Sequence, residues 1–530
     1  MSPVAAFEFT LLLLVAVLGL ELLAKVLRLP PAAALIAGGM VLAFVPGFPT
    51  VSLDPELVLV LFLPPLLMDG AYFTAWADFR RNLGGILLLA IGAVAFTTLV
   101  VGLVARWIVP DLPWAACFAL GAVVSPPDAI AAKAVLERVA LPRRLMVLLE
   151  GESLLNDAAG LVLFRFAVAA AMTGAFSIGD AVVTFSYLAG GGLAVGGVLG
   201  FLWVKSLRLL NDPSLIIVAA VLLPWAAYIG GEALHVSGVI STVASGLMLG
   251  WHQHEVFPAT VRTRGDAFWR LVIYLLEALV FILIGLSLRG VIERLGGVGD
   301  ALTTLAAPVL AIVAAVVLSR FAWVFTSDGL RAIFDRIRGR RQSRWLGPST
   351  VMSWAGMRGV VTLAIALSLP EAMPGRDLIL AAACAVILVT VMVQGTKMSV
   401  DPAIAPASRG SGERPSARPR TRNGADGCGT VCCCRALIAA ARRQPETPSA
   451  ARTYGYRARL TERYSSEAGA RAAARKEHFE VVLAAIAAGR AEIVRLHRSG
   501  MIHDEVLRTL ESDLDLQELA ARAVVNEAMS

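Results

Sequence analysis

The sequence predicts an all-α protein that crosses a membrane about thirteen times, and three observations lead to this prediction. Hydrophobic residues account for 57% of the 530 residues and charged residues for only 16%, whereas a soluble domain is about 45–50% apolar and about 25% charged. The apolar residues occur in runs of about 20, the length that a helix needs to cross a bilayer. Lys and Arg are concentrated in alternate loops between these runs, as in proteins with a fixed membrane orientation.

The apolar runs define the predicted spans in chain order, and the transmembrane domain is predicted to extend over residues 1–398. No basic segment precedes the first run, so we predict a span there and not a cleavable signal peptide. The predicted spans are 5–24, 31–47, 56–76, 84–105, 114–134, 145–174, 181–204, 214–231, 233–250, 267–288, 300–326, 348–369 and 376–397.

The distribution of positive charge predicts the orientation of the chain, because basic residues in short loops mark the cytoplasmic side. The N-terminus is predicted to lie outside and the polar tail in the cytoplasm, in a bacterial-type cell (inner) membrane. The same residues explain the net charge of +7, so no nucleic-acid partner is predicted. The cytoplasmic loops contain Lys25, Arg28, Arg80, Arg81, Lys133, Arg138, Arg143, Arg144, Lys205, Arg208, Arg262, Arg264, Arg270, Arg331, Arg336, Arg338, Arg340, Arg341 and Arg344, against Arg106, Arg289, Arg294 and Arg376 in the opposite loops.

Two spans at corresponding places in the chain contain helix-breaking residues. The fifth contains SPPD at 125–128, in which each proline removes a backbone donor, and the twelfth contains GMRG at 356–359. We therefore predict two inverted repeats, the first six and the last six spans, whose interrupted helices cross within the membrane, as in many transporters. The alternative is a pair of packing kinks, which does not account for Asp128 and Arg358 in the interruptions.

The sixth span carries EGESLLND at 150–157 between apolar flanks. A carboxylate at the bilayer centre costs about 2.5–3.5 kcal/mol or more, so such residues mark functional sites. Ser153 and Asp157 are four residues apart and share a helix face. Carboxylate, hydroxyl and carbonyl oxygens are the ligands of hard cations. We therefore predict a monovalent cation site at Asp157 and Ser153, with Asp128 beside the first interruption.

Other residues of the same cluster are predicted to support this site. Asn156 does not titrate, and we predict that it positions Asp157 by a hydrogen bond. Glu152 is predicted to pair with Arg358, which offsets one excess negative charge. The alternative is that Glu152 and Asp157 only form hydrogen bonds to neighbouring helices. No His or Cys lies in the cluster, so no transition metal and no cofactor are predicted.

A single titrating carboxylate predicts antiport. Burial raises the pKa of a carboxyl group and a bound cation lowers it, so one group holds either a proton or a cation. Exchange of one for the other moves no net charge, which predicts electroneutral one-for-one exchange of a proton for a monovalent cation such as sodium. Potassium or lithium are alternative cations, and a gated cation channel or a non-transporting sensor are alternatives of another class. No enzyme is predicted, because no nucleophile–base pair appears, and no phosphate-binding loop indicates an ATP-driven pump.

Four segments resemble the monovalent cation/proton antiporter-1 family, which includes bacterial sodium/proton antiporters and animal sodium/proton exchangers. GESLLNDA at 151–158 resembles the signature segment of the family almost letter for letter. LPPLLMDGAY at 63–72, FWRLVIYLLEALVFILIGL at 268–286 and GMRGVVTLA at 356–364 resemble it in pattern and order. The resemblance covers roughly residues 5–398 and part of the tail.

This resemblance implies a homodimer, in which a mobile bundle of helices moves the site across the membrane by an elevator-like motion. Asp157 is implied to be the carboxylate that binds both the cation and the proton, with Asn156 before it. The resemblance further implies cation coordination by Ser153 and Asp128 and structural roles for Glu152 and Arg358.

Several positions depart from the pattern of the family. The family often has threonine where this chain has Pro127, and Ser125 is the candidate replacement for that hydroxyl. It usually has Glu where this chain has Asp69. It often has Asn where this chain has Glu277, for which Arg320 is the candidate partner.

The polar tail is predicted to contain two segments. Residues 399–452 are rich in Pro, Arg, Ser and Gly without periodicity, which is typical of a disordered linker, and a frameshifted stretch of the source gene is one hypothesis for them. Their four cysteines have a spacing that does not indicate a zinc site. Residues 453–530 are predicted to form a helical cytoplasmic tail with an apolar stripe at Leu507, Leu510 and Leu514.

Overall fold

The structure is a computed structural model, and the regular structure that it describes is helical, without strands in the described ranges. The chain divides into two compact units, Met1–Ala407 and Ser408–Ser530. The predicted linker at 399–452, with its four cysteines, lies outside the described residues. The described ranges are 3–27, 29–45, 55–128, 143–174, 178–294, 298–337, 346–394, 470–499 and 501–527.

The apolar runs form the helices of the first unit, and proline begins several of them because its missing N–H is not needed in a first turn. The helices are α1 (Pro3–Leu27), α2 (Pro31–Ala43), α3 (Pro55–Phe73), α4 (Trp76–Leu87), α5 (Val94–Ile108), α6 (Trp114–Val124), α7 (Arg143–Thr173), α8 (Ile178–Leu207), α9 (Pro213–Ala233), α10 (Gly238–Val256), α11 (Ala259–Arg294), α12 (Val298–Ile337), α13 (Leu346–Trp354), α14 (Val360–Leu367) and α15 (Arg376–Val389).

Eight helical stretches in the described ranges are long and apolar enough to cross a membrane, and shorter apolar helices occur at α2, α3 and α6. This confirms the predicted fold class, an all-α polytopic membrane protein. The count of about thirteen spans and the inverted repeats stay predictions. The fifth predicted span is represented by α6, which ends early at Val124, and residues 129–134 of that span lie outside the described residues.

One group of helices, which we call the panel, consists of α1–α3 and α8–α11, and its members pack mainly on one another. The contact of α2 with α11 is close because glycines face each other there. A Cβ at Gly39 would lie 2.4 Å from the carbonyl oxygen of Ile282, and one at Gly285 would lie 2.3 Å from that of Ile36. Small residues allow the close helix packing that stabilises proteins in membranes.

A second group, which we call the core bundle, consists of α4–α7 and α12–α15. A π-helical segment, Leu88–Ala93, joins α4 to α5, and another, Thr390–Gln394, follows α15. Such π segments are frequent at functional sites. In this group α6 packs between α5 and α7, and α14 packs against α15. The core bundle therefore contains both of the predicted helix interruptions.

The second unit contains α16 (Ala470–Arg498) and α17 (Asp504–Glu527), which pack on each other. Ile486 of α16 and Leu507 of α17 are buried. The predicted apolar stripe on α17 is only partly found, because Leu510 is exposed.

Acidic residues occupy the buried face of α17 after Leu507. The Nη2 atom of Arg490 donates a hydrogen bond to Asp515 Oδ1 and forms an ion pair with Glu518 Oε2, each at 2.7 Å. Burial alone would raise the pKa of Glu518, but the guanidinium groups of Arg490 and Arg522 outweigh burial and lower the pKa below its ordinary value. The two tail helices are therefore joined by charged contacts as well as by apolar packing.

Candidate cation-binding site

The two interrupted segments cross inside the core bundle. The helix α6 ends at Val124 and α14 begins at Val360. Between them, the backbone N–H of Asp128 donates a hydrogen bond to the carbonyl oxygen of Met357, at 2.6 Å. Prolines supply no N–H groups for a helical ladder, so the chain leaves the helical conformation after α6. Both interruptions are found where the sequence predicts them, and they contact each other directly.

The Arg358 side chain binds the carbonyl end of α6. Its Nε atom donates to the carbonyl oxygen of Val124 at 3.0 Å and its Nη2 atom to that of Ser125 at 3.3 Å. Its Nη1 atom donates to the carbonyl of Gly356, and its backbone N–H donates to Thr390 Oγ1 at 3.1 Å. The last carbonyls of a helix lack intrahelical partners and carry partial negative charge. A buried guanidinium therefore stabilises this helix end.

Glu152 forms a buried ion pair with Arg320 of α12. The two terminal nitrogens of the guanidinium donate to the two carboxylate oxygens, with 2.8 Å between Nη2 and Oε2, and both side chains are only 2% exposed. The predicted pair of Glu152 with Arg358 is therefore wrong. Both arginines lie in predicted spans, so the sequence alone does not distinguish them as partners of Glu152. In the structure Arg358 binds carbonyl oxygens at the end of α6, and Arg320 is the arginine that contacts Glu152 of α7. Arg320 forms its ion pair with Glu152. An ion pair between Arg320 and Glu277 stays a prediction.

Asn156 joins the first interruption to α7. Its Nδ2 atom donates to the carbonyl oxygen of Pro127 at 2.6 Å, and the side chain is completely buried. Its Oδ1 atom has no hydrogen-bond partner among the described residues. Asn156 therefore holds the segment that carries Asp128 against the helix that carries Asp157.

An open cavity of about 850 Å³ lies beside the crossing. Asp157 and Ser153 of α7 line it together with Asp128 and with Asp69 of α3. The structure thus brings together four of the predicted site residues from three separate segments, whereas Asn156 is buried beside them. Carboxylate and hydroxyl oxygens that share one cavity match the ligand preference of a hard cation.

Gly359 gives the Asp128 carboxylate its space in the crossing. A Cβ at position 359 would overlap Oδ2 of Asp128. On the other side of the same segment, a Cβ at Gly160 of α7 would lie 2.3 Å from the Pro126 ring. Any larger residue at either glycine would displace the interruption.

The Ser125 side chain does not line the cavity. Its hydroxyl donates to the carbonyl of Ala122 at 3.2 Å and lies 3.2 Å from Thr98 Oγ1. It is 2% exposed. The prediction that Ser125 replaces a missing hydroxyl ligand is therefore wrong, because its hydroxyl is directed into α5 and α6.

Two residues of the cavity region were not predicted. Thr362 of α14 lines the cavity, and Trp269 of α11 donates a hydrogen bond from Nε1 to Asp69 Oδ1 at 3.0 Å. Both lie in segments that carry the family resemblance. A lone hydroxyl or indole in an apolar run is ordinary, so only the packing of the helices singles them out.

The carboxylates of the cavity do not form a compact metal centre. In the part of the chain that the structure describes, no group of three or more His, Cys, Asp or Glu is placed to hold a metal ion. Asp69 of α3, Asp128 of the first interruption, and Glu150 and Asp157 of α7 instead border one cavity.

Comparison with known sequences identifies similar proteins. The profile of the family described as "Sodium/hydrogen exchanger, transmembrane" matches residues 11–400. A "Sodium, potassium, lithium and rubidium/H(+) antiporter" of Bacillus pumilus is 35% identical over 67% of this chain, and the match spans only 55% of the length of that relative. The Na(+)/H(+) antiporter NhaP of Pseudomonas aeruginosa is 31% identical over 72% of this chain and 92% of that protein.

Comparison with solved structures finds the same fold in the sodium proton antiporter MjNhaP1 from Methanocaldococcus jannaschii. The TM-score is 0.57, and the match covers 75% of this chain and 97% of that chain. The two sequences are 20% identical, so this likeness concerns the fold alone.

Proposed function

The chain belongs to the sodium/hydrogen exchanger family, and we propose on that basis that it exchanges intracellular sodium for external protons. The observation that best supports this proposal is the cavity at the helix crossing, where Asp157, Asp128 and Ser153 present oxygen atoms. Members of the family are transporters and not enzymes, and the apolar helices make this chain a multi-pass membrane protein.

Asp157 is the proposed exchanging group, and Asp128, Ser153 and Asn156 are its proposed partners in cation binding. A cation stabilises the charged form of a carboxylate and a proton the neutral form, so the two compete for one group. When the cavity opens to the cytoplasm, sodium displaces the proton from Asp157. When it opens to the outside, a proton displaces sodium. Each cycle then exchanges one proton for one sodium ion and moves no net charge.

Alternating access is proposed to come from motion of the core bundle relative to the panel. The cavity lies between the two groups, since Asp69 belongs to α3 and Asp157 to α7. An elevator-like displacement of the core bundle would carry the crossing segments together, because hydrogen bonds join them to each other and to α7. A homodimer, an external N-terminus and a cytoplasmic tail remain part of this proposal.

Potassium is the second candidate cation. The name of the Bacillus pumilus relative includes potassium, lithium and rubidium beside sodium. Oxygen ligands of the kinds found here bind any of these ions. Exchange of potassium for protons at the same carboxylate is therefore the alternative function.

Everted membrane vesicles with an internal pH dye test the proposed function. After respiration has established a pH gradient, sodium is added, then potassium and lithium in separate trials. We expect sodium to collapse the gradient in vesicles with the wild-type chain, and Asp157→Asn to abolish this response because the amide binds no exchangeable proton. Immunoblots of the vesicles would verify equal protein amounts.

The matched control is Glu371→Gln, which makes the same chemical change at an exposed position between α14 and α15. This variant should exchange at the wild-type rate. Wild-type vesicles that respond to none of the three cations would overturn the antiporter proposal. A response to potassium alone would replace sodium with potassium.

A further inference from the structure

Thr362 carries a buried hydroxyl without a hydrogen-bond partner among the described residues. Its side chain is 1% exposed. Threonines within helices elsewhere in the molecule donate to the carbonyl four residues earlier, as Thr98 does to Val94 at 2.8 Å and Thr390 to Val386 at 2.7 Å. The unpartnered hydroxyl of Thr362 departs from that pattern, and a buried polar group of this kind is costly without a partner.

The interruption before α14 explains why the usual partner is missing. The residue four positions before Thr362 is Arg358, which lies in the non-helical segment, and α14 begins only at Val360. Thr362 is therefore in the first turn, where no helical carbonyl lies behind it. Back-bonding to the preceding turn, the common outcome for a helical threonine, does not occur at this position.

The position of Thr362 in the cavity indicates another partner. Thr362 lines the same cavity as Asp157, Ser153 and Asp128. It also comes from the second interrupted segment, whereas these three residues come from α7 and the first. Small hard cations are held by several oxygens, neutral ones included. The hydroxyl of Ser125 is bonded within its own helix and lies off the cavity wall.

We propose that the hydroxyl of Thr362 is a ligand of the transported cation, contributed by the second interrupted helix. This inference rests on the proposed function and extends its ligand set. With it, both interrupted helices supply an oxygen to the ion, Asp128 from one and Thr362 from the other. The hydroxyl is neutral, so it strengthens cation binding without changing the charge balance of the exchange.

The test is the sodium dependence of exchange in the vesicle assay, with KM and maximal rate measured separately. Thr362→Val removes the hydroxyl and keeps the shape, and Thr362→Cys replaces it with a thiol, a poor ligand for hard cations. We expect both to raise the KM for sodium about tenfold, the effect of losing one favourable polar contact. Thr362→Ser keeps the hydroxyl and should stay within about twofold of the wild type.

The matched control is Thr326→Val, because the Thr326 hydroxyl already donates to the carbonyl of Ala322 on an exposed face of α12. The KM of the Thr326→Val variant for sodium should equal that of the wild type. A wild-type KM in both Thr362→Val and Thr362→Cys would overturn the ligand role, while exchange itself stays intact. Absence of cation-driven exchange in the wild-type chain would instead overturn the proposed function, and this inference with it.

Discussion

Arg320 and Arg358 are both buried residues, yet they stabilise different groups. Arg320 neutralises the Glu152 carboxylate, whereas Arg358 binds backbone carbonyls at the end of α6. Removing one partner of a buried ion pair leaves an uncompensated charge and costs about 3–5 kcal/mol, while an exposed pair contributes about 0.2–1 kcal/mol. Neither side chain lines the cavity, and we propose that the Glu152–Arg320 pair supports the core bundle and does not bind the cation.

Glu152→Gln should lower the free energy of unfolding by about 3–5 kcal/mol, because it leaves Arg320 buried without a counter-charge. The measurement is the melting temperature in detergent, followed by size-exclusion chromatography of heated samples. Glu293→Gln is the control, since it breaks an ion pair with Arg289 in which Glu293 is 54% exposed. Equal melting temperatures for the two variants would contradict a stabilising role for the buried pair.

The positions of the two helix interruptions could be predicted from the sequence, whereas the contacts between helices could not. Prolines at 126 and 127 and glycines around Arg358 predict the breaks, because they act on the local backbone. Two features depend instead on how α7, α12 and α14 are rotated about their axes in the bundle. These are the choice of arginine that pairs with Glu152 and the position of Thr362 in the cavity wall. No spacing rule within one helix contains that information.

Gly359→Ala tests the crossing itself. The added Cβ would overlap the Asp128 carboxylate, so the carboxylate must move and sodium affinity should fall about tenfold, the effect of losing one polar contact. The KM for sodium in vesicles measures this. Gly190→Ala on α8 is the control, since a Cβ there meets nothing within 4 Å. An unchanged KM in Gly359→Ala would show that the position of Asp128 does not matter.

The tail helices should respond to acid. The folded-state pKa of Glu518 is lowered by Arg490 and Arg522, against the effect of burial. Its contribution to stability is therefore fully present above its unfolded-state pKa, about 4.3, and is lost as the pH falls through the lower folded-state value.

Hydrogen exchange of the full chain, corrected for intrinsic rates, should show that protection of α16 and α17 decreases below about pH 4.3. Glu518→Gln should have lower protection at neutral pH and a weaker dependence on pH. The same acid response in this variant and in the wild type would remove Glu518 as its cause.

At the scale of the whole molecule, composition and run length predict the fold class because a bilayer imposes helices of defined length. They do not predict the division into panel and core bundle, which is set by contacts between distant helices such as α2 with α11 and α5 with α12. The cavity between the two groups contains Asp157, the one proposed exchanging carboxylate. We propose that one proton and one cation alternate at Asp157, so that transport carries no net charge.

Sodium-22 uptake into proteoliposomes tests this claim most directly. An outward proton gradient drives uptake while potassium and valinomycin hold the membrane potential at zero or at about −100 mV. If each cycle moved one net charge, a potential of 100 mV would change the driving force by about 2.3 kcal/mol. The sodium concentration ratio at equilibrium would then change about fiftyfold. We predict equal sodium accumulation at both potentials and none with Asp157→Asn. Accumulation that depends strongly on potential, or that persists in Asp157→Asn, would contradict the account.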